Sequence, residues 1–180
     1  MKFTARMLSL AVIFAILWFG LSPAATQPFP TVRATLSGYE ETPAISTGAS
    51  GSFVARIGND SIEYELSYEG IESPVTQAHI HFGQPGVAGG ISAWLCSNLA
   101  SPPTPAGTQS CPTPSGTVTG TITAANIVGP TGQGIAVGQF DELISAILKG
   151  VAYANVHSNT FPAGEIRGQI RGTNFSGTGR

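Results

Sequence analysis

The stretch SIEYELSYEG, residues 61–70, alternates Ile62, Tyr64, Leu66 and Tyr68 with Ser61, Glu63, Glu65 and Ser67. A period of two puts the apolar set on one face and the polar set on the other, which is the signature of a half-buried strand. GSFVARI (51–57) precedes it across the tight-turn signal GND (58–60), so residues 51–68 read as a hairpin. RATLSG (33–38), VTQAHIHF (75–82), GISAWLCS (90–97), SGTVTGTIT (115–123), GVAYANVHS (150–158) and GEIRGQIRG (164–172) supply six more β-rich runs between turn residues. About eight short strands at this spacing predict an all-β sandwich or barrel.

One segment departs from this pattern. GQFDELISAILKG (138–150) spaces Phe140, Leu143, Ile144, Ile147 and Leu148 as on a helix, with Asp141 and Glu142 in its first turn, Lys149 in its last and Gly150 just beyond. A short helix at about 139–149 is expected, covering one end or edge of the sheet. The glycine-rich NIVGPTGQGIAVG (126–138) lacks the Lys-Ser/Thr ending of a phosphate loop and reads as a connector.

The amino terminus has a different character. Lys2 and Arg6 precede the uncharged run Met7–Leu21, followed by small residues at Ser22, Ala24 and Ala25. That is the layout of a secretory signal peptide over residues 1–25; a retained signal anchor is the alternative, although the run is short of the roughly 18–20 residues that a spanning helix wants. Nothing later is apolar enough to span a membrane, so the mature chain is expected to be secreted or periplasmic. In an oxidising compartment Cys96 and Cys111, the only two cysteines, are expected to pair. The bond would close a loop of about 15 residues, for which chain entropy gives ~3 kcal/mol. With 10% charged residues and a net charge of −2, the chain offers no electrostatic footprint for nucleic acid or acidic membranes. The last residues, 173–180, form a polar tail.

The chain has three histidines, confined to two motifs: His79 and His81 in QAHIHFG, and His157 in YANVHS. Alternation puts His79 and His81 on one strand face and Ala78, Ile80 and Phe82 on the other. It likewise groups Tyr153, Asn155 and His157 against Ala152, Ala154 and Val156. The apolar sets should face the core and the histidines should lie outward or at strand ends. A His-x-His pair joined by a third imidazole from a neighbouring strand can surround one cation, and imidazole favours Cu, Zn or Ni over Ca and Mg. Two polar side chains on a strand exterior are the plainer reading. Glu40, Glu41, Glu63, Glu65 and Glu72 are spread over strand exteriors and turns, and no Ser-His-Asp ordering or nucleophile elbow is legible. Glu165 and Arg167 share a face close behind His157; a surface pair, a support for an imidazole and an anion contact are all open.

LSGYEETP (36–43), GASGSFVARI (48–57), AHIHFGQPGVAGGI (78–91), GTVTGTIT (116–123), FDELISAILKG (140–150) and AYANVHSNTFPAGEIRGQI (152–170) together resemble the CHRD domain, the repeat of chordin. The resemblance covers about residues 32–172. It implies a compact extracytoplasmic β domain; the cysteine-rich modules that accompany the repeats in chordin are absent from this sequence, which argues against growth-factor binding. HIHFG followed by NVH and AGEIRGQI is also similar, more weakly, to the copper-ligand motifs of Cu/Zn superoxide dismutase. That similarity implies His79, His81 and His157 as copper ligands and Arg167 as an anion-guiding arginine. With only three histidines the chain has neither a bridging imidazole nor a zinc subsite of that kind.

The sequence thus predicts an antiparallel β-sandwich of Greek-key type, Ig-like or dismutase-like, with one short helix. It predicts a binding module for an extracytoplasmic ligand or protein, not an enzyme. His79, His81 and His157 are the candidate metal site, possible cofactor copper, with Asn155, Glu165 and Arg167 as supporting or anion-contacting residues. A dismutase-like copper redox protein and a structural or adhesive domain without metal are the alternatives.

Overall fold

A computed structural model describes residues 29–173 apart from Pro102. The leader expected over residues 1–25 lies outside the described residues, as do residues 174–180 of the tail. The strands are β1 (Thr31–Ser37), β2 (Ser50–Ile57), β3 (Ile62–Glu69), β4 (Val75–Phe82), β5 (Gly90–Ser97), β6 (Gly116–Ile122), β7 (Ala152–Ser158), β8 (Ile166–Gln169) and β9 (Arg171–Gly172), with helix α1 (Phe140–Leu148) before β7. The run expected over 164–172 is two strands: β8 pairs with β7, while β9 pairs with β1.

All pairings are antiparallel, and they form one ladder in the order β5-β4-β7-β8-β1-β2-β3-β6 with β9 beside β1. The expected sandwich would divide the strands into two facing sheets; the hydrogen-bonded path here runs without that division. Its two ends are joined by side chains from β3 and from the β5–β6 loop, beside an isolated backbone bridge between Ala93 and Ile127. Tyr64 Oη donates to the Leu95 carbonyl at 2.7 Å, and Gln109 Nε2 donates both to Leu95 O at 3.3 Å and to Thr119 O at 2.9 Å. Right-handed strand twist, accumulated along such a path, curls a sheet back on itself, and the result is nearly a barrel. Alternation reveals the faces of each strand but not its neighbours, so sandwich and barrel could not be separated from the sequence.

The inner face carries the apolar halves of the strands, with Val32, Leu36, Phe53, Leu66, Ile80, Leu95, Ile122, Val156 and Ile166 all buried. Helix α1 adds Phe140, Leu143, Ala146 and Ile147, packing against β7 and β9, while Leu148 stays 47% exposed. Its chain reversal falls on Gly150, whose φ of 69° is one that L side chains rarely adopt. The Cys96–Cys111 disulfide is formed, with a Cα–Cα separation of 5.0 Å, both residues buried. It fastens the long excursion after β5. The Asn98 side chain holds the same loop by donating to Val75 O and Cys111 O.

Candidate metal centre

Sheet register builds the site. His79 on β4 lies opposite Trp94 on β5 and Asn155 on β7; Asn155 in turn lies opposite Arg167 on β8, which lies opposite Ser37 on β1. His81 lies opposite Tyr153, and Tyr153 opposite Gln169. His157 pairs with Gln77, two positions from His79, so it stands diagonally across from that imidazole on the same face. The shared face is the one that alternation assigned.

Its exposure is the reverse of the expectation. His79 is 0%, His81 7% and His157 6% exposed, and every residue of β7 is buried. Three loops roof this outer face. Residues 38–47 reach it through Thr42 Oγ1, which accepts from Arg167 Nη1 at 3.3 Å. The β4–β5 loop supplies Gln84 O to Arg167 Nη2 at 3.1 Å and Gly89 O to His81 Nδ1 at 2.9 Å. The turn after β7 supplies Pro162 O to His157 Nδ1 at 3.0 Å. A polar face covered by loops is a second, polar interior, which period-two patterning cannot distinguish from a solvated face.

A carbonyl only accepts, so His81 carries its hydrogen on Nδ1 and presents Nε2 as a lone pair, as does His157 in the tautomer that donates to Pro162 O. His79 Nδ1 lies 3.1 Å from His157 Nε2, and the ligating atoms of all three histidines fall within 4.8 Å of one another. Nitrogens about 2.0–2.1 Å from one ion lie at most ~4.2 Å apart, so binding would draw the widest pair in by roughly half an ångström. His79 Nε2 and His81 Nε2 are buried with no hydrogen-bond partner among the described residues. Asn155 Oδ1 sits 3.1 Å from the same His157 Nε2. Burial pushes the imidazoles towards the neutral, ligating form. Desolvation, then the neighbouring imidazoles, takes His79 down to about 2. Desolvation takes His81 to about 4, with the fields of His157 and Arg167 adding to it against the opposing Gly89 and Asn155 hydrogen bonds. Desolvation lowers His157 as well.

Aromatic rings wall the cluster. Trp94 meets His79 edge-on with ring centres 4.3 Å apart; Tyr153 stacks on His81 at 4.8 Å and carries the Arg167 guanidinium 3.5 Å from its own ring centre. Arg167 is 2% exposed and Glu165 0%, so the surface-pair reading of these two is overturned. They also part company. Arg167 belongs beside the histidines, whereas Glu165 Oε1 accepts from Thr47 Oγ1 and the Glu72 amide, both at 3.0 Å, tying three loops together.

Sequence reasoning passed over Glu41 as one of the scattered acids. Its carboxyl is raised to about 7, chiefly by burial, against the opposing pull of Arg167 and hydrogen bonds that include Asn155. A Cβ at Gly164, where φ is +133°, would overlap this carboxylate, so the glycine makes its room. Gly89 is equally constrained: a Cβ there would overlap the Phe82 carbonyl oxygen. The glycine-rich spacing of HFGQPGVAGG was the one available signal for the second of these.

A sequence model of the CHRD domain matches residues 32–170. No curated protein and no solved structure matches the chain.

Proposed function

The chain belongs to the CHRD domain family, and from that premise we propose that it is an exported binding domain that holds one copper ion on His79, His81 and His157. The observation that carries this reading is the convergence of three buried imidazoles whose ligating atoms lie within 4.8 Å. Two of them are oriented by backbone carbonyls, the support that metal-bound histidines commonly have. A merely structural role for the cluster leaves His79 Nε2 and His81 Nε2 buried and unsatisfied, at a cost of about 1–3 kcal/mol for each such group. The leader-like amino terminus and the Cys96–Cys111 bond support an extracytoplasmic setting.

Calorimetric titration with Cu(II) and Zn(II), and indicator competition with Cu(I), test the site. At least one of these ions should bind at one equivalent, tighter than about 10 μM (~−7 kcal/mol), and lose at least tenfold in affinity in His157→Ala. Failure of all three ions to reach that affinity removes the metal reading. A dismutase-like catalyst predicts superoxide-dependent turnover by the copper-loaded protein, and the binding-domain reading predicts none.

A further inference from the structure

We infer that the three-histidine site takes its copper as Cu(I), in preference to Cu(II) and Zn(II). The inference rests on the metal-site reading above and adds the oxidation state and charge of the ion. Its starting point is the charge of the donor set. His79, His81 and His157 are neutral imidazoles, and among the described residues no carboxylate or thiolate joins the group they form; the Glu41 carboxyl, which reaches the cluster, meets Asn155 and Arg167 instead. Asn155, the remaining polar side chain in hydrogen-bond range of His157 Nε2, is neutral too.

The surroundings reinforce this. The three side chains are 0–7% exposed, so an ion among them gives up most of its hydration. That desolvation penalty scales with the square of the charge and is roughly four times larger for a dication than for a monocation of similar size. The buried Arg167 guanidinium already projects positive potential onto His81, and its repulsion of an entering ion doubles when the ion carries two charges. Arg167 is itself held in place by Thr42 Oγ1, Gln84 O and the Tyr153 ring. Geometry points the same way. Zn(II) sites are almost always completed to four ligands. Here the rings of Trp94 and Tyr153 pack against His79 and His81, and among the described residues the imidazole donors number three. A monocation content with three nitrogen donors fits such a site best.

Anaerobic competition of the full chain against bicinchoninate measures Cu(I) affinity, and indicator competition in air measures Cu(II) and Zn(II). Cu(I) should bind at least about 100-fold more tightly than Zn(II) or Cu(II). Equal or tighter binding of either dication overturns the inference while leaving the metal site standing; absence of binding by all three ions defeats both. Arg167→Gln provides a second readout, because the ratio of affinities is compared within one variant. Removing the guanidinium should narrow the Cu(I)-to-Zn(II) ratio at least threefold, and an unchanged ratio contradicts the electrostatic argument. X-ray absorption of the Cu(I) form should show three nitrogen neighbours at about 2 Å, and a fourth protein or solvent ligand would count against the inference.

Discussion

At the scale of single residues, the candidate site depends on atoms outside the three imidazoles. Gly89 illustrates this: its carbonyl accepts from His81 Nδ1, and its missing side chain lets the backbone lie against Phe82. Gly89→Ala must move that carbonyl, which frees the His81 ring. We expect copper affinity to fall about 10- to 100-fold, the range typical for lost second-layer support, read by the same indicator competition. Glu165 gives the opposite outcome. Its Oε1 receives Thr47 Oγ1 and the Glu72 amide, far in role from the imidazoles. Glu165→Ala should lower unfolding free energy by about 2–3 kcal/mol in urea denaturation, with metal stoichiometry unchanged. Strand parity grouped His79 with His81, and Asn155 with His157, but left open which strands are neighbours and so which groups meet. It missed Glu41 because that residue reaches the cluster from a loop, where no period applies.

The elements show why faces were legible and cover was not. Strands β4 and β5 occur over the expected residues 75–82 and 90–97, since turn residues bound both runs sharply. The run at 164–172 hid a change of partner, from β7 for β8 to β1 for β9, that no local pattern marks. Burial of the histidines followed from three loops laid over β4, β7 and β8, each fastened by a hydrogen bond to a side chain on that face. Such long-range fastening depends on topology, which is why the same alternating text served equally for a wet face and a roofed one. The excursion closed by Cys96–Cys111, 15 residues apart, is the element whose stability is most separable from the site. Replacing both cysteines by serine should cost about 3 kcal/mol in thermal or urea unfolding, by the chain-entropy argument. A protein whose stability is unchanged under reducing conditions would show that Asn98 and its neighbours suffice to hold the loop.

For the whole molecule, the buried imidazoles set the response of the metal-free protein to acid. The unfolded chain takes up protons on these rings below their ordinary 6.5, while the folded chain resists, down to about 4 for His81 and further for His79. Stability is therefore lost as pH falls through that window. Glu41 acts with the opposite sign: its folded carboxyl keeps its proton up to about 7, against 4.5 when unfolded, so it costs stability as pH rises between the two. Three imidazoles outweigh one carboxyl, and unfolding free energy should increase from pH 5 to 6.5 by on the order of 2 kcal/mol. A flat or falling profile in urea titrations would contradict the buried, neutral cluster. The last joint of the nearly closed barrel has no β5–β6 ladder: Gln109 and Tyr64 side chains reach Leu95, while the Ala93–Ile127 bridge and the Val128 amide donating to Ser92 O tie β5 to the segment after β6. Trp94, against His79, also lines the cleft of about 310 Å³ at this joint. A joint without a continuous ladder is the preferred place for such a ring to open, and Trp94 stands there beside the first imidazole. Gln109→Ala should quicken deuterium uptake by β5 amides and the rate of metal entry together, while leaving the equilibrium affinity within about threefold.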